Sequence, residues 1–167
     1  KFSLLLYRLI NFLQIKNVLE TGTSLGINTA YLSQSNAHQI VTIEGSLEIA
    51  ERAKTRLSKL GLNNVEIIVG RVQEVFYPAL VRTQPNLIFL DADHRSETIG
   101  FYLQSIKDSG LKVECIVIHD IYWSRDMHAA WAAIVNNPQY TLTIDIFEAG
   151  VIFPNYPIEK QHFTLKF

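Results

Sequence analysis

Two short stretches carry the side chains best suited to moving a proton. Asp91-Ala92-Asp93-His94 and His119-Asp120 each close an apolar run. An imidazole changes charge near neutral pH, and a carboxylate beside it orients and recharges it, so such a pairing suits taking a proton from a hydroxyl group. His94 is the first candidate for the base, because it follows its apolar run by several residues and can face a substrate at the rim. Asp91, Asp120 and His119 are its companions, with His119 alternatively packed at a strand end. A loop histidine serves surface hydrogen bonding more often than base catalysis, so position rather than residue type selects His94. Tyr122 and Trp123 follow at once and would wall an acceptor pocket, though aromatics at such turns as often cap a core.

A second group of residues is suited to holding a ligand. Glu20-Thr21-Gly22-Thr23-Ser24-Leu25-Gly26 has the form E-x-G-x-x-x-G. Its glycines let backbone N–H groups approach a ligand, and the following helix offers its positive end. A dinucleotide fingerprint would place glycine where Glu20 stands. A carboxylate is a poor neighbour for a pyrophosphate and a good one for a cation. S-adenosylmethionine carries a sulfonium and an ammonium, so this loop favours it over NAD. Glu44 ends the next apolar run, 24 positions after Glu20, where two carboxylate oxygens can accept both hydroxyls of a ribose.

The elements that must position these residues follow from alternating Val/Ile-rich runs and amphipathic stretches. Helices are expected over 2–14, 28–33, 47–60, 72–82, 96–108 and 125–136. Strands are expected over 17–21, 39–44, 65–69, 86–91 and 113–119. In the 47–60 helix, Ala50, Ala53, Leu57 and Leu60 share one face. The tail changes character, with strands over 141–147, 151–153 and 163–167. Five βα units imply an α/β fold: a doubly wound, mostly parallel sheet, with an antiparallel strand at one edge contributed by the tail. Ligands of such sheets bind at the carboxyl ends of the strands. All the polar clusters above fall at those ends.

Composition narrows the function. Hydrophobic residues make up 48% of the 167-residue chain, enough for one packed domain. The 15 basic and 16 acidic residues leave a net charge of −1 without a basic stripe, which disfavours nucleic acid as the partner. Apolar runs are too short and interrupted to span a membrane. Cys115 is the sole cysteine, so no intramolecular disulfide forms; its apolar setting reads as a buried structural thiol, and the chain fits a cytoplasmic setting. The chain opens on Lys1 rather than methionine, and a missing N-terminal segment is among the expectations.

The strings VLETGTSLGINTAYLS, VTIEGS, NLIFLDADH and IVIHDIYWS resemble class I S-adenosylmethionine-dependent methyltransferases, nearest to the catechol and caffeoyl-CoA O-methyltransferase group. The resemblance runs from about Asn17 to the terminal strands, so residues 1–167 read as a single methyltransferase domain. It implies a Rossmann-like, seven-stranded sheet whose last strand is antiparallel. It further implies that Glu20, Gly22, Thr23, Ser24 and Gly26 belong to the cofactor site, with Gly22 to Gly26 lining the methionine part. Glu44, with Gly45 and Ser46, would hold the ribose; Gly70, Arg71 and Val72 would flank the adenine, and Asp91 and Ala92 would complete the cofactor site.

Two departures from the family pattern stand out. Many relatives place an acid or amide where Arg71 follows Gly70. Metal-dependent relatives bind a divalent ion through an aspartate after the fourth strand and an Asp-Asn pair after the fifth. Asp91 and Asp120 match the acids, but Ile121 occupies the asparagine position and supplies no oxygen. A divalent metal is therefore not expected; if one binds, Asp91 and Asp120 are its ligands. The reading is an enzyme that methylates a small-molecule acceptor, at a hydroxyl oxygen, with a homodimer as the expected assembly. The alternatives are an NAD-dependent oxidoreductase with an atypical glycine loop and a non-catalytic cofactor-binding domain.

Overall fold

The structure is a computed structural model and describes residues 1–166. The chain forms two compact units, Lys1–Leu87 and Ile88–Phe167. The first contains α1 (Phe2–Leu13), β1 (Asn17–Thr21), α2 (Ile27–Ser33), β2 (Gln39–Glu44), α3 (Leu47–Lys59), β3 (Val65–Val69) and α4 (Val72–Thr83). Its strands run in the order β3-β2-β1, all parallel. The register pairs Thr21 with Ile43 and Glu44 with Val69, which brings the three strand ends to one edge. In β1 and β2, four consecutive residues are buried. Since successive side chains point to opposite faces, both faces of these strands are covered.

α3 shows how sequence sets a boundary. Ser46 caps it by accepting the Ile49 N–H, Glu48 lies in the first turn, and Arg56 and Lys59 lie in the last, each complementing the helix dipole. Ala50, Ala53 and Leu57 are buried as expected. Leu60 is not: it falls on the C-cap, one residue past the end of the helix, and is 58% exposed. α4 continues through Pro78, which forgoes a hydrogen bond that a regular helix interior would make.

β4 (Leu87–Leu90) opens the second set of elements, followed by α5 (Ser96–Ser109), β5 (Cys115–His119), α6 (Arg125–Asn136), β6 (Leu142–Asp145), β7 (Ala149–Phe153) and β8 (Gln161–Thr164). The strand order is β4-β5-β7-β6-β8. β7 runs antiparallel to both β5 and β6, so the reversed strand expected from the tail is present and lies between two others. β8 pairs parallel with β6 and adds a strand, exposed along its whole length, to the seven the resemblance implies. It occupies Gln161–Thr164 rather than 163–167, and Phe167 lies outside the described residues.

The expected strand 141–147 ends at Asp145. There the carboxylate accepts the Phe147 N–H at 2.8 Å, a side-chain turn that replaces the ladder. Cys115 is fully buried, and burial pushes its thiol pKa up, away from reactivity. Among the described residues no helix is long and apolar enough to cross a membrane.

Candidate functional site

In the first unit the loop after β1 is built from backbone turned into the left-handed region. Gly22 has φ 89°, Ser24 φ 49° and Gly26 φ 75°. A Cβ at Gly26 would also stand 3.4 Å from Leu57 on α3, so conformation and packing both favour glycine there. Gly22 and Thr23 donate their N–H groups to the Ile43 carbonyl at 2.9 and 3.2 Å, and the Thr23 hydroxyl meets that of Thr42 at 2.8 Å. These bonds clamp the loop to β2. The Arg56 guanidinium ties its far side by donating to the Leu25 carbonyl at 2.7 Å.

Glu44 sits at the end of β2, half-buried. One carboxylate oxygen accepts the Ser24 N–H at 2.8 Å and the other accepts the Ser46 N–H at 3.0 Å. Each oxygen keeps a further lone pair, so the group is fixed in place yet still able to accept from a ligand. Gly45 is exposed and Ser46 spends its hydroxyl on the α3 cap. Gly70 donates its N–H to the Glu44 carbonyl at 3.0 Å, and a Cβ there would fall 2.6 Å from Val75. Arg71 is the N-cap of α4 and is exposed, with Val72 half-buried behind it.

Glu20 differs from its expected role. It is fully buried, and its carboxylate accepts the Thr29 hydroxyl of α2 at 2.5 Å. The pleat of β1 turns it toward α2, so it anchors the helix that follows the glycine loop. Leu47, exposed at the first position of α3, and Val69, exposed before Gly70, are apolar surfaces beside these loops that the sequence reading passed over. An apolar residue directly after a capping serine was the available signal.

In the second unit the ends of β4 and β5 bring four titratable side chains together. His119 Nδ1 lies 2.9 Å from Asp91 Oδ1 and 3.6 Å from Asp120 Oδ2. His94 Nε2 lies 3.5 Å from each of the same two oxygens. All four predicted candidates therefore meet. Burial alone would push the His119 pKa down; the Asp91 carboxylate against it, with the charges of Asp120 and Glu148, outweighs this and holds it above the ordinary imidazole value. His94 points Nε2 at the carboxylates rather than outward, and that nitrogen is buried without a hydrogen bond. Ala92 is half-buried between the acids.

The turns holding this cluster are strained in a specific way. Asp93 and Asp120 both take positive φ, 53° and 55°. Asp93 is spent on structure: it accepts both Arg95 guanidinium donors at 2.6 Å and the Thr98 hydroxyl at 2.8 Å. The Arg95 guanidinium holds the Asp93 carboxyl below the usual carboxylate range. The Asp120 N–H donates to the Glu148 carbonyl at 2.8 Å.

Beside Asp120 opens a cleft of about 430 Å³ lined by Tyr122, Trp123, Phe147 and Glu148. Tyr122 stacks on Phe147 at 5.4 Å, and Trp123, 73% exposed, lies 6.2 Å from the His94 ring. Asp145, which accepts from the Tyr122 hydroxyl at 2.5 Å and from the Trp131 indole at 3.2 Å, braces this wall. Phe147, Glu148 and Asp145 were not among the sequence candidates.

The model of a family described as "Methyltransferase domain" matches residues 19–121, a stretch that includes both the glycine loop and the His119-Asp120 pair. The chain belongs to the methyltransferase domain family. A catechol O-methyltransferase of Mycobacterium tuberculosis is 34% identical over 84 residues, covering 48% of this chain and 38% of that protein. A protein-L-isoaspartate O-methyltransferase of Nitrobacter winogradskyi is 44% identical over 55 residues, covering 33% of this chain and 25% of that protein. The match thus takes in well under half the length of either relative. The SAH-bound methyltransferase PaMTH1 of Podospora anserina superposes with a TM-score of 0.77 at 18% identity, over 93% of this chain and 78% of that one. At that identity the likeness is one of fold, and this methyltransferase domain has the Rossmann-like α/β architecture expected of it.

Proposed function

We propose that this methyltransferase domain binds S-adenosylmethionine and transfers its methyl group to a hydroxyl oxygen of a small-molecule acceptor. The observation that carries this reading is Glu44: a carboxylate pinned by two loop N–H groups, with spare lone pairs for two ribose hydroxyls, beside a glycine loop without a pyrophosphate-type turn. The family membership and the O-methyltransferases among the relatives support it. In the reaction, the acceptor oxygen attacks the methyl carbon in line with the sulfur. The carbon–sulfur bond breaks, its electron pair stays on sulfur as S-adenosylhomocysteine, and the acceptor loses its proton. The sulfonium already activates the methyl group, so the protein's work is alignment and removal of that proton. We assign the proton's removal to the cluster of Asp91, His94, His119 and Asp120. The aromatic cleft beside Asp120 suits an acceptor with a flat apolar portion.

Calorimetry with S-adenosylmethionine, S-adenosylhomocysteine and NAD tests the cofactor. Binding of the first two with NAD much weaker is the expected result, and NAD binding as tightly as either would overturn it. Incubation with methyl-labelled cofactor and a panel of phenols and other hydroxyl compounds tests the transfer. Tight cofactor binding with no labelled product from any acceptor would favour a non-catalytic binding domain.

A further inference from the structure

The second unit holds a groove that the proposed reaction does not use. Gly100, Leu103 and Lys107 recur at helical spacing along α5 and so share one face. That face walls two adjoining clefts, of about 380 and 590 Å³, which have Leu103, Lys107, Gln139 and Tyr140 in common. The larger reaches Val113, just before β5, whereas the titratable cluster lies where β5 ends. The length of β5 puts about 13 Å between the two. We propose that this groove binds a medium-chain alkyl carboxylate, with the carboxylate held by Lys107 and Lys112 and the chain running along α5 toward Gly100. The site is separate from the proposed function and does not rest on it.

Charge and surface chemistry carry this. Among the described residues, Lys107 and Lys112 are the only charged side chains that line either cleft, and neither forms an ion pair. Asp108, the acid nearest Lys107 in the chain, is engaged by Gln104 Nε2 at 2.7 Å. The last carbonyls of α5 are likewise occupied: that of Ile106 accepts the Ser109 hydroxyl at 2.6 Å, and that of Lys107 accepts the Gly110 N–H at 3.2 Å. Tyr140 adds a donor, since burial pushes its pKa up and the hydroxyl keeps its proton. The rest of the larger cleft is mainly aliphatic: Ile106 and Val113 are buried, and Leu103 and Leu111 are half-buried. Two ammonium groups beside an aliphatic surface fit a ligand with one anionic end and one apolar chain.

The groove is also preformed. Its far wall is a turn over residues 137–140 with Pro138 in second place. The Tyr140 N–H donates to the Asn137 carbonyl at 3.2 Å, and the Gln139 N–H donates to Asn137 Oδ1 at 2.9 Å. Lys160, just before β8, clamps the same turn by donating to the carbonyls of Asn137 and Tyr140 at 2.6 and 2.9 Å. Gly100 opens the other end: glycine weakens a helix interior, yet a Cβ here would meet nothing within 4 Å. From Gly100 to Gly110 the chain of α5 and its cap runs about 15 Å, room for an extended chain of medium length.

Calorimetry with decanoate, decanol and decylammonium, each below its micelle concentration, tests the site. One decanoate per chain, at least about tenfold tighter than either decanol or decylammonium, is expected. Absence of saturable decanoate binding, or either of the other two binding as tightly, would overturn the proposal. Saturating S-adenosylhomocysteine should leave decanoate affinity unchanged; displacement would place the acid in the cofactor site and overturn it too. The double variant Lys107→Ala/Lys112→Ala should lose about tenfold in decanoate affinity while decanol binds as before. Gly100→Leu, which favours the helix, should fill the chain's path and weaken decanoate by about tenfold, with hexanoate unaffected. Circular dichroism establishes that both variants are folded, and decanoate affinity unchanged in both would sink the groove as its site.

Discussion

The ligand loops of the first unit and the titratable cluster of the second are built from different materials. Around β1, β2 and β3, hydrogen bonds from Gly22, Thr23, Ser24, Ser46 and Gly70 fix the loops through backbone N–H groups, and a single carboxylate, Glu44, offers itself to a ligand. At the ends of β4 and β5 the working atoms are all side-chain atoms, of Asp91, His94, His119 and Asp120. A backbone cradle tolerates many side-chain changes, provided that φ and packing are respected. A side-chain cluster fails when one member is lost. The comparison thus separates binding from chemistry, and substitutions in the two regions should have opposite signatures.

The largest effect belongs to the cluster. Asp120→Asn keeps the positive φ of 55°, which asparagine tolerates, and removes the charge shared by both imidazoles. Turnover should fall by roughly 10²–10⁴ while cofactor affinity stays nearly constant. Single-turnover kinetics beside a cofactor titration would measure both. A drop in affinity with turnover intact would erase the contrast between the regions.

Glu44→Ala should show the reverse. Two loop N–H groups and the ribose lose their acceptor, which weakens the cofactor by about 1–3 kcal/mol, with turnover at saturating cofactor little changed. Glu44→Gln, which retains an oxygen, should recover part of the affinity. An unaltered affinity in folded Glu44→Ala would make Glu44 a loop brace only.

The same contrast explains what could be read from the sequence. The glycine loop and Glu44 were legible because their requirements are local: positive φ selects glycine at Gly22 and Gly26, and an acid at a strand end is visible in the run itself. The inward turn of Glu20 was not, since a fully buried strand shows no alternation to say which face each residue takes. The members of the second cluster were named and expected at one rim, but which of their atoms face one another was not visible. His119 reaches Asp91 only because β4 and β5 end together, and the orientation of His94 Nε2 depends on the Asp93–Arg95–Thr98 bracket around its turn. The aromatic wall was half legible. Tyr122 and Trp123 follow Asp120 directly, whereas Phe147 and Glu148 come from a turn made by the Asp145 side chain, which the strand pattern concealed.

The smallest expected effect is the sharpest test of the backbone cradle. Arg71 departs from the acid or amide common in relatives, yet it is exposed and caps α4 without a side-chain hydrogen bond. What this turn fixes is Gly70, whose N–H is tied to Glu44 and whose missing Cβ leaves room for Val75. If the cofactor's base is read there by backbone, Arg71→Ala should change affinity by no more than the roughly 0.5 kcal/mol typical of surface substitutions. Gly70→Ala should do more, because its methyl group would meet Val75 at 2.6 Å and push the loop outward. Calorimetry on both variants measures the difference. A loss of tenfold or more in Arg71→Ala, with Gly70→Ala mild, would mean that a side chain does the reading, and the first unit would then resemble the second.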